Sequence, residues 1–282
     1  MAEFRAYGEF KLSNVDFNEP QRLRHVYHSE LVSGGSGSND PELVMFSIIA
    51  DHRGDSVVFG MVGPNLRLND KPPSAGRITE FGMSFASSTG ELTEWGILGT
   101  SVSARSLMDA VKSASTADDL LIIQKALSGD DKIILSNSND EMDGFAGNDY
   151  LKGRGGADIL RGGNGTDSLE GGSGRDTLTG GADADKFMFL TVSDSKTGKQ
   201  HDIISDFTRG SDIIDLRKID ADTTLAGNQA FSFIGDSDFS GHAGELRFDA
   251  GKLSGDVNGD GQADFEIAIT GVKTMTAIDL IL

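Results

Sequence analysis

The amino-acid sequence predicts an all-β protein: an N-terminal β-sandwich or barrel-like module, a short helical cap, a parallel β-roll and a C-terminal β-domain. Three observations carry this expectation. Residues 144–188 read as five consecutive nine-residue blocks, GFAGNDYLK, GRGGADILR, GGNGTDSLE, GGSGRDTLT and GGADADKFM, and self-similarity at a short fixed period marks a solenoid. The first 102 residues alternate apolar and polar side chains in short runs broken by Gly, Ser, Asn, Asp and Pro, the pattern of antiparallel strands. The 282 residues include 37 Gly against 5 Pro, far above ordinary glycine usage and suited to many tight turns.

The N-terminal module, residues 1–102, is expected to place strands at 4–12, 23–31, 43–49, 57–62, 77–85 and 92–98, with polar loops at 33–41 and 63–76. Two short helices should follow in residues 103–125 and cover the open end of the roll. Ser103 is placed to cap 104–111, and Thr116 with Asp119 forms a capping box ahead of 120–127.

The roll spans residues 126–190. Position six of every block is Asp (Asp149, Asp158, Asp167, Asp176, Asp185), and position eight is large and apolar (Leu151, Leu160, Leu169, Leu178, Phe187). Run backwards, the register recovers two degenerate blocks, ALSGDDKII and LSNSNDEMD, with Asp131 and Asp140 at position six. Glycines at positions one, two and four, among them Gly144, Gly147, Gly153, Gly156, Gly162, Gly165, Gly171 and Gly174, permit positive φ and close backbone approach. The first six residues should therefore turn, with Asn164 and Ser173 at position three of two such turns, and the last three should form a strand whose middle side chain faces inward. Two blocks make one right-handed turn, so Asp residues eighteen apart stack at about 4.8 Å.

Charge gives the stacked Asp residues a meaning. Residues 1–125 hold 11 basic and 16 acidic side chains, residues 126–282 hold 14 and 28, and the second set of acids is 24 Asp to 4 Glu. Each stacked pair repels by about 3 kcal/mol at an effective dielectric near 20. A divalent cation between the turns converts that repulsion into ligation, and carboxylates with loop carbonyls are the oxygen set of Ca²⁺. The alternative is a metal-free β-helix with Asp-Gly turns. The total of -19 argues against nucleic-acid binding, which needs a Lys/Arg surplus. The absence of Cys excludes disulfides and thiolate metal sites.

These blocks resemble the RTX family of secreted calcium-binding repeat proteins. The resemblance implies about five Ca²⁺ ions in the roll, with the listed glycines, Asn164, Ser173 and the position-six Asp residues as the binding set. Phe145 and Arg154 replace the second glycine and Asp183 the fourth, which places the outermost sites in doubt.

Residues 191–282 resemble the C-terminal domain of serralysin-type metalloproteases. HDIISDFTRGSDIIDL, residues 201–216, looks like the segment that closes the roll, which implies that Asp202 and Asp212 complete the last calcium sites; the alternative is a strand with solvated carboxylates. DVNGDGQAD, residues 256–264, places Asp256, Asn258, Asp260 and Asp264 at positions one, three, five and nine of an EF-hand-like loop, but position twelve is Ile267. It is either a further calcium site or a turn joining strands at 245–248 and 265–270. TAIDLIL, residues 276–282, resembles the uncleaved signal of type I secretion cargo. The N-terminal 30 residues show no secretory signal, and no run approaches the roughly 20 apolar residues of a membrane helix.

A serralysin protease carries a zinc-binding HExxH helix, and this chain has none. His25 and His28 are three apart in a strand pattern, so their rings point to opposite faces. His52 with Asp51 and Asp55 is an acid–base cluster or a turn. One Trp and three Tyr are a thin supply for stacking on sugars. The sequence therefore points to a non-enzymatic RTX protein of a Gram-negative bacterium, exported by the type I machinery and folded by extracellular calcium. Its expected partner is a surface polysaccharide or a host or cell surface. The alternative is a secreted hydrolase acting on polysaccharide or peptide from a site within residues 1–102.

Overall fold

A computed structural model describes residues 3–6, 27–32, 42–49, 56–63, 77–86, 92–103 and 116–282. The chain divides into two compact units, Met1–Leu135 and Ser136–Leu282. His25, His52, Asp51 and Asp55, and the helix expected at 104–111, lie outside the described residues.

In the first unit the expected antiparallel strands are present: β1 (Glu3–Ala6), β2 (Tyr27–Val32), β3 (Glu42–Ile49), β4 (Ser56–Gly63), β5 (Arg77–Ala86) and β6 (Leu92–Ser103). They pair as a meander in the order β2-β3-β4-β5-β6-β1, with β7 (Lys132–Ile134) parallel to β1. Among the described residues these strands form one sheet layer where the alternation suggests a sandwich or barrel, since alternation specifies strands and not what covers them. Helix α1 (Thr116–Ala126) stands where the second helix is expected and buries Ile122 and Ile123, while Leu121 is exposed.

The second unit is the roll and its extension. Strands β8 (Glu141–Asp143), β9 (Tyr150–Gly155), β10 (Ile159–Asn164), β11 (Ser168–Ser173), β12 (Thr177–Ala182) and β13 (Lys186–Met188) alternate between two parallel sheets. Within this unit one sheet runs β9-β11-β13-β15-β20 and the other β8-β10-β12-β14-β19-β18-β17-β16, where β14 is Asp202–Ile204, β15 Ile213–Asp215, β16 Ser232–Phe233, β17 Glu245–Asp249, β18 Lys252–Asp256, β19 Phe265–Ile269 and β20 Leu280–Ile281. The register is the eighteen-residue stack: Leu151 opposite Leu169, Leu160 opposite Leu178. Leu151, Leu160, Leu169, Leu178 and Phe187 are fully buried, as their period requires.

Two details differ from the sequence expectation. The strands β9 to β12 run six residues, from position seven through position three of the next block, because backbone groups at positions two and three also pair with the next turn, as Gly163 with Gly181 and Asn164 with Ala182. Positive φ falls at positions two and four only: Phe145 (68°), Arg154 (77°) and Asp183 (77°) adopt it without being glycine. In addition, β18 intervenes between the two expected C-terminal strands. It forms antiparallel pairs with β17 and β19, so the 256–264 loop joins β18 to β19.

Candidate metal centre

The position-six Asp side chains line the two edges of the roll in two rows, Asp149–Asp167–Asp185–Asp212 and Asp140–Asp158–Asp176–Asp202, and each is nearly fully buried. Within a row each carboxylate after the first makes the same bond. Oδ1 of Asp158 accepts the backbone N–H of Asp140 at 2.8 Å; Asp167 does the same for Asp149, Asp176 for Asp158, Asp185 for Asp167, Asp202 for Asp176 and Asp212 for Asp185. Stacked Asp residues thus meet carboxylate to amide, which offsets part of the pairwise repulsion expected from their spacing.

The second oxygen is the informative one. Oδ2 of Asp158, Asp167, Asp176, Asp185 and Asp202 is buried and accepts no hydrogen bond, and an unsatisfied buried charge is strongly unfavourable. Burial, the largest cause, pushes these carboxyls up to about 8 for Asp158, about 6 for Asp167 and Asp176, about 7 for Asp185 and about 9 for Asp202. The N–H bond to Oδ1 lowers each, and neighbouring carboxylates raise it again. Desolvation therefore outweighs the mutual repulsion on which the sequence argument rested.

Position-one glycines explain what the open oxygen faces. Gly144, Gly153, Gly162, Gly171 and Gly180 lack positive φ, yet none has room for a side chain. A β-carbon on Gly144 would lie 2.5 Å from Oδ2 of Asp149 and 2.6 Å from the carbonyl oxygen of Gly162 on the next turn. Gly153 is bounded in the same way by Asp158 and the Gly171 carbonyl, and Gly162 by Asp167 and the Gly180 carbonyl. Each position-one glycine thus lets the carboxylate oxygen and a carbonyl oxygen of the next turn converge on one place, and both are oxygen types that calcium takes. The residues fit the ion: a buried carboxylate oxygen in want of a cation, brought beside a carbonyl of the next turn by the close approach that glycine permits.

The other sequence candidates divide. Gly147, Gly156, Gly165 and Gly174 hold the positive φ of position four. Asn164 and Ser173 have exposed side chains, and their carbonyls accept the N–H of Gly147 and Gly156. Asp131 is buried in the first unit. Asp202 continues its row; Asp212 ends the other, with Oδ2 taken by the Thr208 N–H at 2.7 Å. In the 256–264 loop, Asp256 accepts the N–H groups of Asn258, Gly259 and Gly261. Asp264 accepts those of Val257 and the Asn258 side chain, while Asp260 accepts the Gln262 N–H. That is the hydrogen bonding of an Asx-rich turn.

Three contributors were hidden from sequence reasoning. The Ser195 hydroxyl accepts the Asp202 N–H at the end of its row. The Asp206 carboxylate accepts the N–H groups of Gly180 and Gly181, both at 2.9 Å. Asn148 at position five bonds the Thr166 N–H one turn on. Ser195 and Asp206 lie beyond residue 188, outside the five repeat blocks.

Stacked Asp-Gly turns of this kind define a parallel β-roll of the RTX calcium-binding type. The chain belongs to the Peptidase M10 serralysin C-terminal family, whose model matches residues 115–282. Among solved structures it is similar to the R3 subunit of a mannuronan C5-epimerase from Azotobacter vinelandii, with 25% identity, a TM-score of 0.25, and coverage of 55% of this chain and 78% of that one. No curated protein matches the chain.

Proposed function

We propose that this is an exported protein without catalytic activity whose C-terminal unit folds when it meets extracellular calcium, leaving the N-terminal module to engage a surface polysaccharide or cell surface. The five buried Oδ2 atoms without a hydrogen bond carry the calcium part of the reading. Asp158, Asp167, Asp176, Asp185 and Asp202 supply the carboxylate oxygens, and turn carbonyls such as Gly171 and Gly180 supply neutral ones. When bound, calcium neutralises the buried charges and ties successive turns together. Because the sites exist only in the folded roll, binding free energy becomes folding free energy.

Export rests on the family and on residues 276–282. In the fold that segment is built into the structure: Leu280 pairs with Ile214, and Asp279 is buried. The Asp279 carboxylate accepts hydrogen bonds from Gly210, Thr276 and Arg209. A signal read from these residues is accessible in the chain before it folds, which suits a calcium-poor cytosol and transport of an extended chain by the type I machinery. Among the described residues no helix is long and apolar enough to cross a membrane.

The test is circular dichroism of the full chain at pH 8 in millimolar calcium and in chelator. The β signal should fall on chelation and return on adding calcium. An unchanged spectrum and melting curve in chelator would overturn the reading.

A further inference from the structure

We propose that the residue five places before each Asp decides whether that Asp faces an ion or closes a metal-free turn, and that Asp140, Asp194 and Asp212 are metal-free end caps. The inference rests on the calcium reading above and deepens it by setting where the ion ladder stops.

The two kinds of turn differ at one place. Where that residue is glycine, as Gly153 before Asp158, Gly162 before Asp167, Gly171 before Asp176 and Gly180 before Asp185, Oδ2 is left without a hydrogen bond. Where it is a large apolar residue, Leu135 before Asp140, Phe189 before Asp194 and Phe207 before Asp212, Oδ2 accepts a hydrogen bond instead. Leu135, Phe189 and Phe207 are all buried. In these three turns the next residue donates its backbone N–H to Oδ2: Ser136 to Asp140 at 2.8 Å, Leu190 to Asp194 at 2.7 Å and Thr208 to Asp212 at 2.7 Å. Hydroxyls reinforce two of them, Ser136 Oγ on Asp140 and Thr191 Oγ1 on Asp194.

Topology agrees with the assignment. Asp140 leads into β8, the outermost strand of its sheet, while Asp212 closes the opposite row. The 208–212 turn is itself anchored, since Asp279 accepts the Gly210 N–H and an Arg209 N–H. Asp202 stands apart because its turn is lengthened by the Gly198–Gln200 3₁₀ turn, and its own N–H is closed by Ser195.

The test is the number of calcium ions held by the full chain at saturation, from equilibrium dialysis and atomic absorption, with the calcium midpoint of folding from circular dichroism. D140N and D212N should hold as many ions as the wild type and fold at a higher calcium midpoint. D167N should hold at least one ion fewer. If D140N does not fold, S136A keeps the carboxylate and removes one donor, and it should show the same unchanged ion count with a raised midpoint. Loss of an ion by D140N, S136A or D212N, with the wild type binding normally, overturns this inference alone. A wild type that takes up no calcium overturns the calcium reading and this inference together.

Discussion

Replacing Gly162 by Ala isolates the space beside one carboxylate. Gly162 lacks positive φ, so the backbone accepts alanine without torsional strain, and the whole effect comes from the added β-carbon. That atom would lie 2.5 Å from the carbonyl oxygen of Gly180 and closer still to Oδ2 of Asp167. Forcing an atom into such a gap costs about 1–3 kcal/mol. The ion is lost as well, and at free calcium one hundred times its dissociation constant that removes about 2.7 kcal/mol. Together these predict a loss of about 4–6 kcal/mol, and for a unit of this size a fall of roughly 10–20 °C in melting temperature. Gly198→Ala is the control. Gly198 has φ 75° with nothing within 4 Å of a built β-carbon, so only left-handed strain of about 1–2 kcal/mol applies and no ion is lost. The assay is calorimetric calcium titration with thermal melts in millimolar calcium. If G162A binds as many ions as the wild type, with G198A no better, the close approach of Asp167 Oδ2 and the Gly180 carbonyl at Gly162 is not needed to hold calcium.

Two further outcomes follow from the side chains. Acid should substitute for calcium: a carboxyl whose folded value is raised stabilises the metal-free fold below its unfolded value near 3.8 and loses that contribution as pH rises through about 8 for Asp158 and about 9 for Asp202. The β signal in chelator should therefore grow as pH drops from 8 to 5, and a flat response refutes the assigned burial. Between β9 and β11, Glu170 accepts hydrogen bonds from the Tyr150 hydroxyl and Lys152, both at 2.5 Å. Burial, with that bond and the Glu170 charge, pushes the Tyr150 phenol well above its ordinary range. E170Q should bring it partway back in an ultraviolet titration, with ion count unchanged; no movement would show that burial alone holds it up.

The roll was legible because its period recurs in both packing and chemistry. Position eight must be apolar to fill the interior and position six must be Asp to reach the row, so every block restates the same two constraints from Asp140 to Asp185. Of glycine's two expected uses, position one serves only close approach, as at Gly162, while Gly163 and Gly165 also take positive φ; the two uses look alike in sequence. At three of the positive-φ positions Phe145, Arg154 and Asp183 take up the left-handed conformation in place of glycine. Beyond Phe187 the restatement stops. β18 has only five residues with a glycine inside, LSG between Lys252 and Asp256, and its burial alternates only because β17 and β19 flank it. Tertiary pairing of that kind leaves little local trace.

The two oxygens of each row Asp divide the work of folding. Oδ1 fixes the rise from one turn to the next through a backbone N–H, a bond available without any ion. Oδ2 makes the same arrangement unfavourable until a cation arrives, because at Asp158, Asp167, Asp176, Asp185 and Asp202 no protein donor reaches it. A chain satisfied at both oxygens throughout, as at Asp212, would fold unaided and leave calcium nothing to control. One with neither oxygen satisfied would have no register for calcium to select. On the proposed calcium reading, the mixture gives a roll whose geometry is encoded in the backbone and whose stability depends on the ion.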